Sequence, residues 1–574
     1  MTYERSYNLI NKKFKEMFIP TLLVSIAGNF ATLADALIIS LLINPLNLSV
    51  IQSIGPYTSF INVLYWLFGF GGSILSTAAR AEFKEKESNQ IFTVSIIGIL
   101  IISVALTILG CIFPDQFIQA LCNSEQLRPL VGQYFGFYNL GVPFLCYIAV
   151  LAYFIKTDDF IQLQFRSFLL ANVLNVILDV VFIKYLNLGI GGPGLATTTS
   201  FLIGSIYIST YFLHERGTLK IVKVKFKESI KQVIDISKAG LATASIPLYQ
   251  AIKLLIINSI ILGILGEVGL AAYNMCNNCL FIVTIFVLGA AQSLLPIIAV
   301  YYNEGDYTGV DYVAKKSLKI VIGFGIFFTA LFAIFPQIVV SIFSVSDPTQ
   351  IPIVINAIRI FSLSILGYSI SYLYMFYTQS VQYTKLANIV TTLEGLILPV
   401  VFVYVLSTIW GIDGVWSGFI FAEFGTVLFI YIYSKYMTKK TNGEYYGFFL
   451  NKRVEKERTF EYTLEGNPDD AVYLSRNVQE FITDSRLSVF VSLALEEIVI
   501  YILDINKEKP DWIDVIIREN DDHMVISIKH SGIGYNPNNT DIESENIKML
   551  TSISEKIDYS QILGLNNTVI TIKK

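Results

Sequence analysis

Residues 177–194 read ILDVVFIKYLNLGIGGPG, and residues 397–414 read ILPVVFVYVLSTIWGIDG. The two stretches align without a gap at an offset of 220 residues, with Ile177/Ile397, Val181/Val401, Phe182/Phe402, Gly191/Gly411 and Gly194/Gly414 identical. Apolar matches are cheap in a membrane sequence; two glycines in register are less so. Internal repeats of this kind mark duplicated membrane folds. The stretch therefore predicts two equivalent halves, with the fifth helix of each in correspondence.

Around this pair the chain is apolar. Of its 574 residues, 54% are hydrophobic and only 15% charged, against about 25% charged in an ordinary soluble protein. The deficit runs over roughly residues 16–437, while 451–574 have a soluble composition. A net charge of −4 is too small to imply nucleic acid as a partner. A spanning helix needs about 20 apolar residues. Twelve windows qualify: 17–43, 52–77, 92–113, 131–155, 165–186, 190–213, 239–265, 278–301, 317–343, 355–378, 386–408 and 411–437. Six helices per half is an even number, so both halves start on the same side and the repeat is parallel. The expected domains are a six-helix lobe at 1–215, a basic linker at 216–238, a second lobe at 239–440 and a soluble tail at 451–574.

Orientation follows from Lys and Arg in short loops. With the N-terminus inside, the inner loops carry Arg80, Lys84 and Lys86, then Lys156 and Arg166, then the basic run from Lys220 to Lys231, then Lys315, Lys316 and Lys385. The outer loops hold chiefly Arg128, Lys184 and Arg359. Both termini are expected in the cytoplasm of a cell whose plasma membrane holds the bundle. The polar start, MTYERSYNLINKKFKEM, lacks a small-residue cleavage site and argues against a cleaved signal peptide. Cys276 and Cys279 form a CxxC, read here as small packing residues because no second pair or histidine cluster accompanies it.

Ionisable groups at membrane depth are costly and usually functional. Asp35 lies in the first helix, Asp179 in the fifth, Lys253 in the seventh and Glu394 in the eleventh. Asn175 precedes Asp179 by four residues, so the two share a helix face. Asn172 and Thr197 add polar groups to that lobe. A carboxylate in low dielectric can change protonation or hold Na+ with nearby amide and hydroxyl oxygens. The alternative is a neutral acid hydrogen-bonded to a neighbouring helix. Lys253 and Glu394 could pair across the second lobe, or serve substrate.

At these residues the chain resembles the multidrug and toxic compound extrusion (MATE) family over roughly residues 10–440. The likeness rests on the 6+6 layout, the first-helix aspartate and the block NVILDVVFIKYLNLGIGGPGLATTTS, with GGSILSTAARAEFKEKESNQ at the end of the second helix similar as well. The resemblance implies export of small organic compounds by antiport against H+ or Na+, from a V-shaped pair of lobes. It also implies a first-lobe cation site at Asp35, Asn175, Asp179 and Thr197. Other branches place essential acids in the seventh and tenth helices; here the seventh has Lys253 and the tenth has no acid.

In the tail, RTFEYTLE alternates like a strand, residues Asp469 to Thr483 and Ser488 to Asp504 read as helices, and IDVIIREN and MVISIKHSG read as strands paired around Asn520 to Asp522. The final NNTVITIKK reads as an edge strand. The result is an α/β two-layer sandwich, and its order resembles the histidine-kinase-like ATPase domain of anti-sigma-factor serine kinases. In that family a Glu is followed four residues later by a Mg2+-binding Asn; Glu497 matches and Tyr501 does not. The adenine-reading Asp precedes a Gly by two; Gly532 matches, but the Asp position is His530. The phosphate-covering stretch would fall near ESENIKML, which has no glycine. A phenol cannot replace an amide oxygen on Mg2+, so the domain is read as degenerate, not an enzyme, with no cofactor beyond the coupling ion and ATP binding doubtful. Its expected role is regulation or binding of a cytoplasmic protein. Two alternatives stay open for the whole chain: a lipid or lipid-linked glycan flippase, and a membrane-anchored signalling protein acting through its tail.

Overall fold

The computed structural model describes residues 5–43, 48–122, 124–342, 351–453, 457–465, 468–506, 512–534 and 545–574. The first lobe is built from α1 (Asn8–Leu42), α2 (Gly55–Ala81), α3 (Glu85–Ile112), α4 (Arg128–Thr157), α5 (Ile161–Val180) and α6 (Gly191–Ile208). The second comprises α7 (Phe226–Asn303), α8 (Tyr307–Ile334), α9 (Ile351–Ser362), α10 (Ile365–Ser380), α11 (Thr384–Thr392) and α12 (Leu398–Lys440).

Each of the twelve expected windows is largely helical. Among the described residues, eight helices are long and apolar enough to cross a membrane, or nine if α9 and α10, bent by 44°, make one span. The difference from twelve has local causes. The eleventh and twelfth windows count as one helix, running from α11 into α12 across Gly411 (φ +61°), and α1 and α6 are not among the eight, whereas the seventh and eighth, joined in α7, count as two spans on either side of Gly266 (φ +61°). Only glycine takes such a backbone without strain. The sixth window, α6, opens on GGPG and three threonines. The expected linker is irregular only up to Lys225; from Phe226 it is already helix.

Both fifth helices widen into a π-turn, Val181–Tyr185 in the first lobe and Leu393–Ile397 in the second. In the second lobe the reason is Pro399, which lacks an N–H and whose ring crowds the carbonyl four residues back.

The tail has its own apolar core. Its strands are β1 (Arg458–Leu464), β2 (Ile513–Glu519), β3 (His523–Ser531), β4 (Ser554–Ile562) and β5 (Leu565–Lys573). They form one antiparallel sheet in the order β1-β2-β3-β5-β4. Helices α13 (Pro468–Phe481), α14 (Ser485–Ile505) and α15 (Glu545–Ile553) contribute to the same core. The turn expected at Asn520 to Asp522 is present, with the Asn520 N–H donating to the His523 carbonyl at 3.0 Å. One expectation is corrected. The final strand is not at the edge: β4, from SEKIDYSQI, pairs outside it. That strand's polar residues conceal its pattern in the sequence.

The N-terminus and the tail meet at one end of the bundle. Arg5 reaches Asp514 on β2 at 3.2 Å and Asp306, in the α7–α8 loop, at 2.8 Å.

Candidate functional site

Asp35 on α1 and Asp179 on α5 face each other where these two helices pack. Asp179 is fully buried and Asp35 half-buried. Asp35 Oδ1 and both oxygens of Asp179 are shut from solvent and, among the described residues, have no hydrogen-bond donor. Asn175, one turn before Asp179, donates through Nδ2 to Thr197 Oγ1 on α6 at 3.4 Å, and that hydroxyl donates to the Pro193 carbonyl at 2.9 Å. Tyr134 on α4 stands within electrostatic reach of both carboxyls and of Thr197.

The four expected residues therefore converge, and Tyr134 joins them. No sequence signal distinguishes Tyr134, because a tyrosine in a spanning helix usually serves packing. Asn172 sits half-buried on α5. The arrangement is two carboxylates, an amide and a hydroxyl, a donor set suited to a proton or a hard monovalent cation. Carboxylates buried side by side are stable only with a proton or cation between them.

The second lobe is built differently. Glu394 lies buried in the π-turn of the fifth helix, and Lys253 on α7 interacts with it electrostatically. Both also act on Glu423 of α12, which is 5% exposed and has Oε2 without a partner. Tyr368 of α10 borders both glutamates and donates or accepts a hydrogen bond with Thr284 at 3.0 Å. Glu423 is absent from the charges singled out in the sequence, although an acid in the middle of the twelfth window is a signal that could have found it. Cys276 and Cys279 are buried in the bundle core as free thiols.

At the end that carries the termini, a cleft of about 370 Å³ opens between the lobes, lined by Glu82, Glu87, Asp235, Lys238, Gln379 and Gln382 among others. Around it the lobes touch. Lys156 Nζ on α4 donates to the Gln292 carbonyl on α7 at 3.0 Å, and the Phe70 ring on α2 meets Phe376 on α10 at 5.7 Å.

In the tail, Glu497 is half-buried and Tyr501 41% exposed on α14. His530 is fully buried, and burial pushes its imidazole down against the opposing pull of the Ser531 carbonyl. Gly532 takes φ +98°, and Asn506 Oδ1 accepts from the Ile533 N–H at 2.7 Å beside it. Glu543 and Ser544 of the ESENIKML stretch, and residues 535–537 of IKHSGIGYNP, lie outside the described residues.

The family model MatE matches residues 20–181 and 248–405. A curated relative from Shewanella oneidensis, described as a FAD transporter, is 26% identical over 259 residues. That match covers 43% of this chain and spans 55% of the relative's length. Among solved structures, a multidrug resistance MATE family transporter of the MOP superfamily in an outward-facing conformation is 20% identical, with a TM-score of 0.69, covering 75% of this chain and 96% of that one. A MOP superfamily transporter from Pyrococcus furiosus, whose description notes a binding pocket of reverse polarity, matches with the same values. A MATE structure in a bent conformation is 19% identical, with a TM-score of 0.69, covering 75% of this chain and 96% of that one. At these identities the structures show a shared fold.

Proposed function

The chain belongs to the MatE family of transporters, and from that premise we propose a secondary active exporter in which H+ or Na+ bound in the first lobe drives a small organic compound outward. The observation that carries this reading is the meeting of Asp35 and Asp179, with Asn175, Thr197 and Tyr134 around them and three carboxylate oxygens unpartnered among the described residues. A site that gains or loses one positive charge there has different stability in two arrangements of the lobes, which is the differential affinity that coupling needs.

The bundle crosses the plasma membrane twelve times, with Gly266 and Gly411 each dividing a long helix into two crossings. Both termini are cytoplasmic. In support, the end where the tail docks is the end with the Lys- and Arg-rich loops. The substrate class is organic and drug-like. The name of the Shewanella relative makes a flavin dinucleotide one compound to test. Lys253, Glu394 and Glu423 are proposed to meet substrate in the second lobe. The tail is a regulatory domain of histidine-kinase-like ATPase fold that has lost nucleotide chemistry. In support, Tyr501 and His530 stand where the metal ligand and adenine reader would be.

Ion-driven substrate flux into proteoliposomes tests the reading. The Asp35→Asn, Asp179→Asn double variant should lose coupled flux, and undiminished coupled flux would overturn the assignment. A lipid-scrambling assay on the same vesicles separates the flippase alternative. Tight Mg2+-dependent ATP binding by the full chain would overturn the degenerate tail.

A further inference from the structure

The tail's β4–β5 hairpin ends in a two-residue turn, Leu563 (φ +59°) and Gly564 (φ +67°), closed by the Ile562–Leu565 pair. Two left-handed residues in such a turn are ordinarily Asn-Gly or Asp-Gly. A leucine there is strained, so its side chain has another use. Leu563 and Ile562 are 1% and 3% exposed, and they pack into the apolar core of the bundle, not that of the tail. That core runs from α1 and α2 of the first lobe through α7, α8 and α10 of the second.

The hairpin also holds the first lobe by its backbone. The Leu563 N–H donates to the Thr157 carbonyl at the end of α4 at 3.1 Å. Arg80, at the end of α2, donates to the Gln561 carbonyl at 2.8 Å while pairing with Asp158 at 2.8 Å.

The middle strands of the sheet, with β5 of the hairpin itself, hold the second lobe by charge and hydrogen bonds. Lys529 on β3 reaches Glu304 at 2.5 Å and Asp306 at 3.5 Å in the α7–α8 loop. Arg518 on β2 donates to the Gly305 and Glu304 carbonyls at 2.9 and 3.0 Å. Asn567 on β5 donates to Glu304 at 2.7 Å. One small sheet thus grips both lobes at the end where they touch.

Alternating access requires that contact to open. We propose that the tail is a latch: docked, it holds the two lobes together at the terminus-bearing end, and the bundle opens there only after the hairpin withdraws. This deepens the regulatory role given to the tail and rests on the transporter reading.

The test uses the full chain in lipid nanodiscs, with Cys111→Ser and spin labels at Lys86→Cys and Lys385→Cys, exposed positions on opposite lobes at that end. The key variant is Leu563→Asn. Asparagine suits the turn better than leucine, so a merely structural hairpin is improved by it, whereas a latch is loosened. Lys529→Ala undoes the charged grip independently, and the two are combined if either alone stays docked. Amide exchange of β4 and β5 reports whether the hairpin has left. Where it has, the inter-lobe distance distribution should shift, with the open fraction rising about tenfold. A hairpin that exchanges freely while the distances stay put overturns the latch. Failure of the transporter reading looks different: no variant, wild type included, shows ion-coupled flux, whatever the distances do.

Discussion

In the first lobe the fifth helix carries Asp179 and then widens at Val181–Tyr185. In the second it widens first, at Leu393–Ile397, and sets Pro399 where the aspartate would stand. The scaffold is copied, and each joint after a fifth helix has a glycine of positive φ, Gly189 (φ +54°) and Gly411 (φ +61°), although the two lie two residues out of the 220-residue register. The chemistry is not copied. The first lobe pairs two aspartates with an amide and a hydroxyl, and the second sets two glutamates around a lysine. Duplication fixes where helices lie. The lobes differ in single side chains at membrane depth, where every charge needs a partner, a proton or a cation.

The sharpest way to break this contrast is to neutralise each pair in turn. Asp35→Asn with Asp179→Asn should lower ion-coupled flux by at least about tenfold, since an amide has no negative charge to hold a cation and no proton to exchange. Glu394→Gln with Glu423→Gln should keep coupling and change substrate preference. Equal loss of coupling from both, in the same flux assay, would mean that the lobes are functionally alike.

Next in size is a test of the shared scaffold. Neither Gly189 nor Gly411 has a neighbour that an added methyl group would meet. Alanine there costs only its backbone strain, about 1–3 kcal/mol. Gly189→Ala and Gly411→Ala should therefore lower the melting temperature in detergent by similar amounts, and unequal shifts would show that the joints bear different loads.

Smaller again is Tyr134→Phe. It removes one hydroxyl near Asp35, Asp179 and Thr197, worth about 1 kcal/mol for a single neutral hydrogen bond. A few-fold weaker apparent cation affinity is expected, with no change in the second lobe's substrate preference.

The last expected effect is almost none. Burial pushes the Asp306 carboxyl up, but Arg5, Lys529 and the Gly309 N–H outweigh it and hold it below the usual carboxylate range. A carboxyl depressed in the docked state stabilises that state above its free value near 4 and loses the effect only as pH falls through the lower one. Glu304 is raised by burial in spite of Lys529, which favours docking slightly at mild acidity. Protection of the hairpin amides, taken relative to the intrinsic exchange rate at each pH, should therefore be no lower at pH 5 than at pH 8. Lower protection at pH 5 would show that other groups govern docking.

Much of this was legible in the sequence. Hydropathy gives the helices, the aligned glycines give the repeat, and the four-residue spacing of Asn175 and Asp179 puts two site groups on one face. Tyr134 was hidden because aromatic residues crowd membrane helices for packing alone. The breaks at Gly266 and Gly411 fall at or beside expected window boundaries, but that helix continues almost unbroken across them was hidden, because a glycine's backbone angle is not written in its letter. The docking of the tail was the least accessible. Arg5 and Asp514 are 509 residues apart, and no local pattern announces that a polar N-terminal arginine ends 7% exposed.

That distance along the chain also sets an order of assembly. At synthesis rates of about 5–20 residues per second, Arg5 is made roughly 25–100 seconds before the ribosome reaches its partner Asp514, 509 residues later. The helices insert during that interval with Asp306 as the arginine's only emerged carboxylate partner of the two. Every newborn molecule thus passes through a stage with a finished membrane bundle and no tail, and a bulky tag fused ahead of Arg5 would meet its crowding only at the last step of maturation.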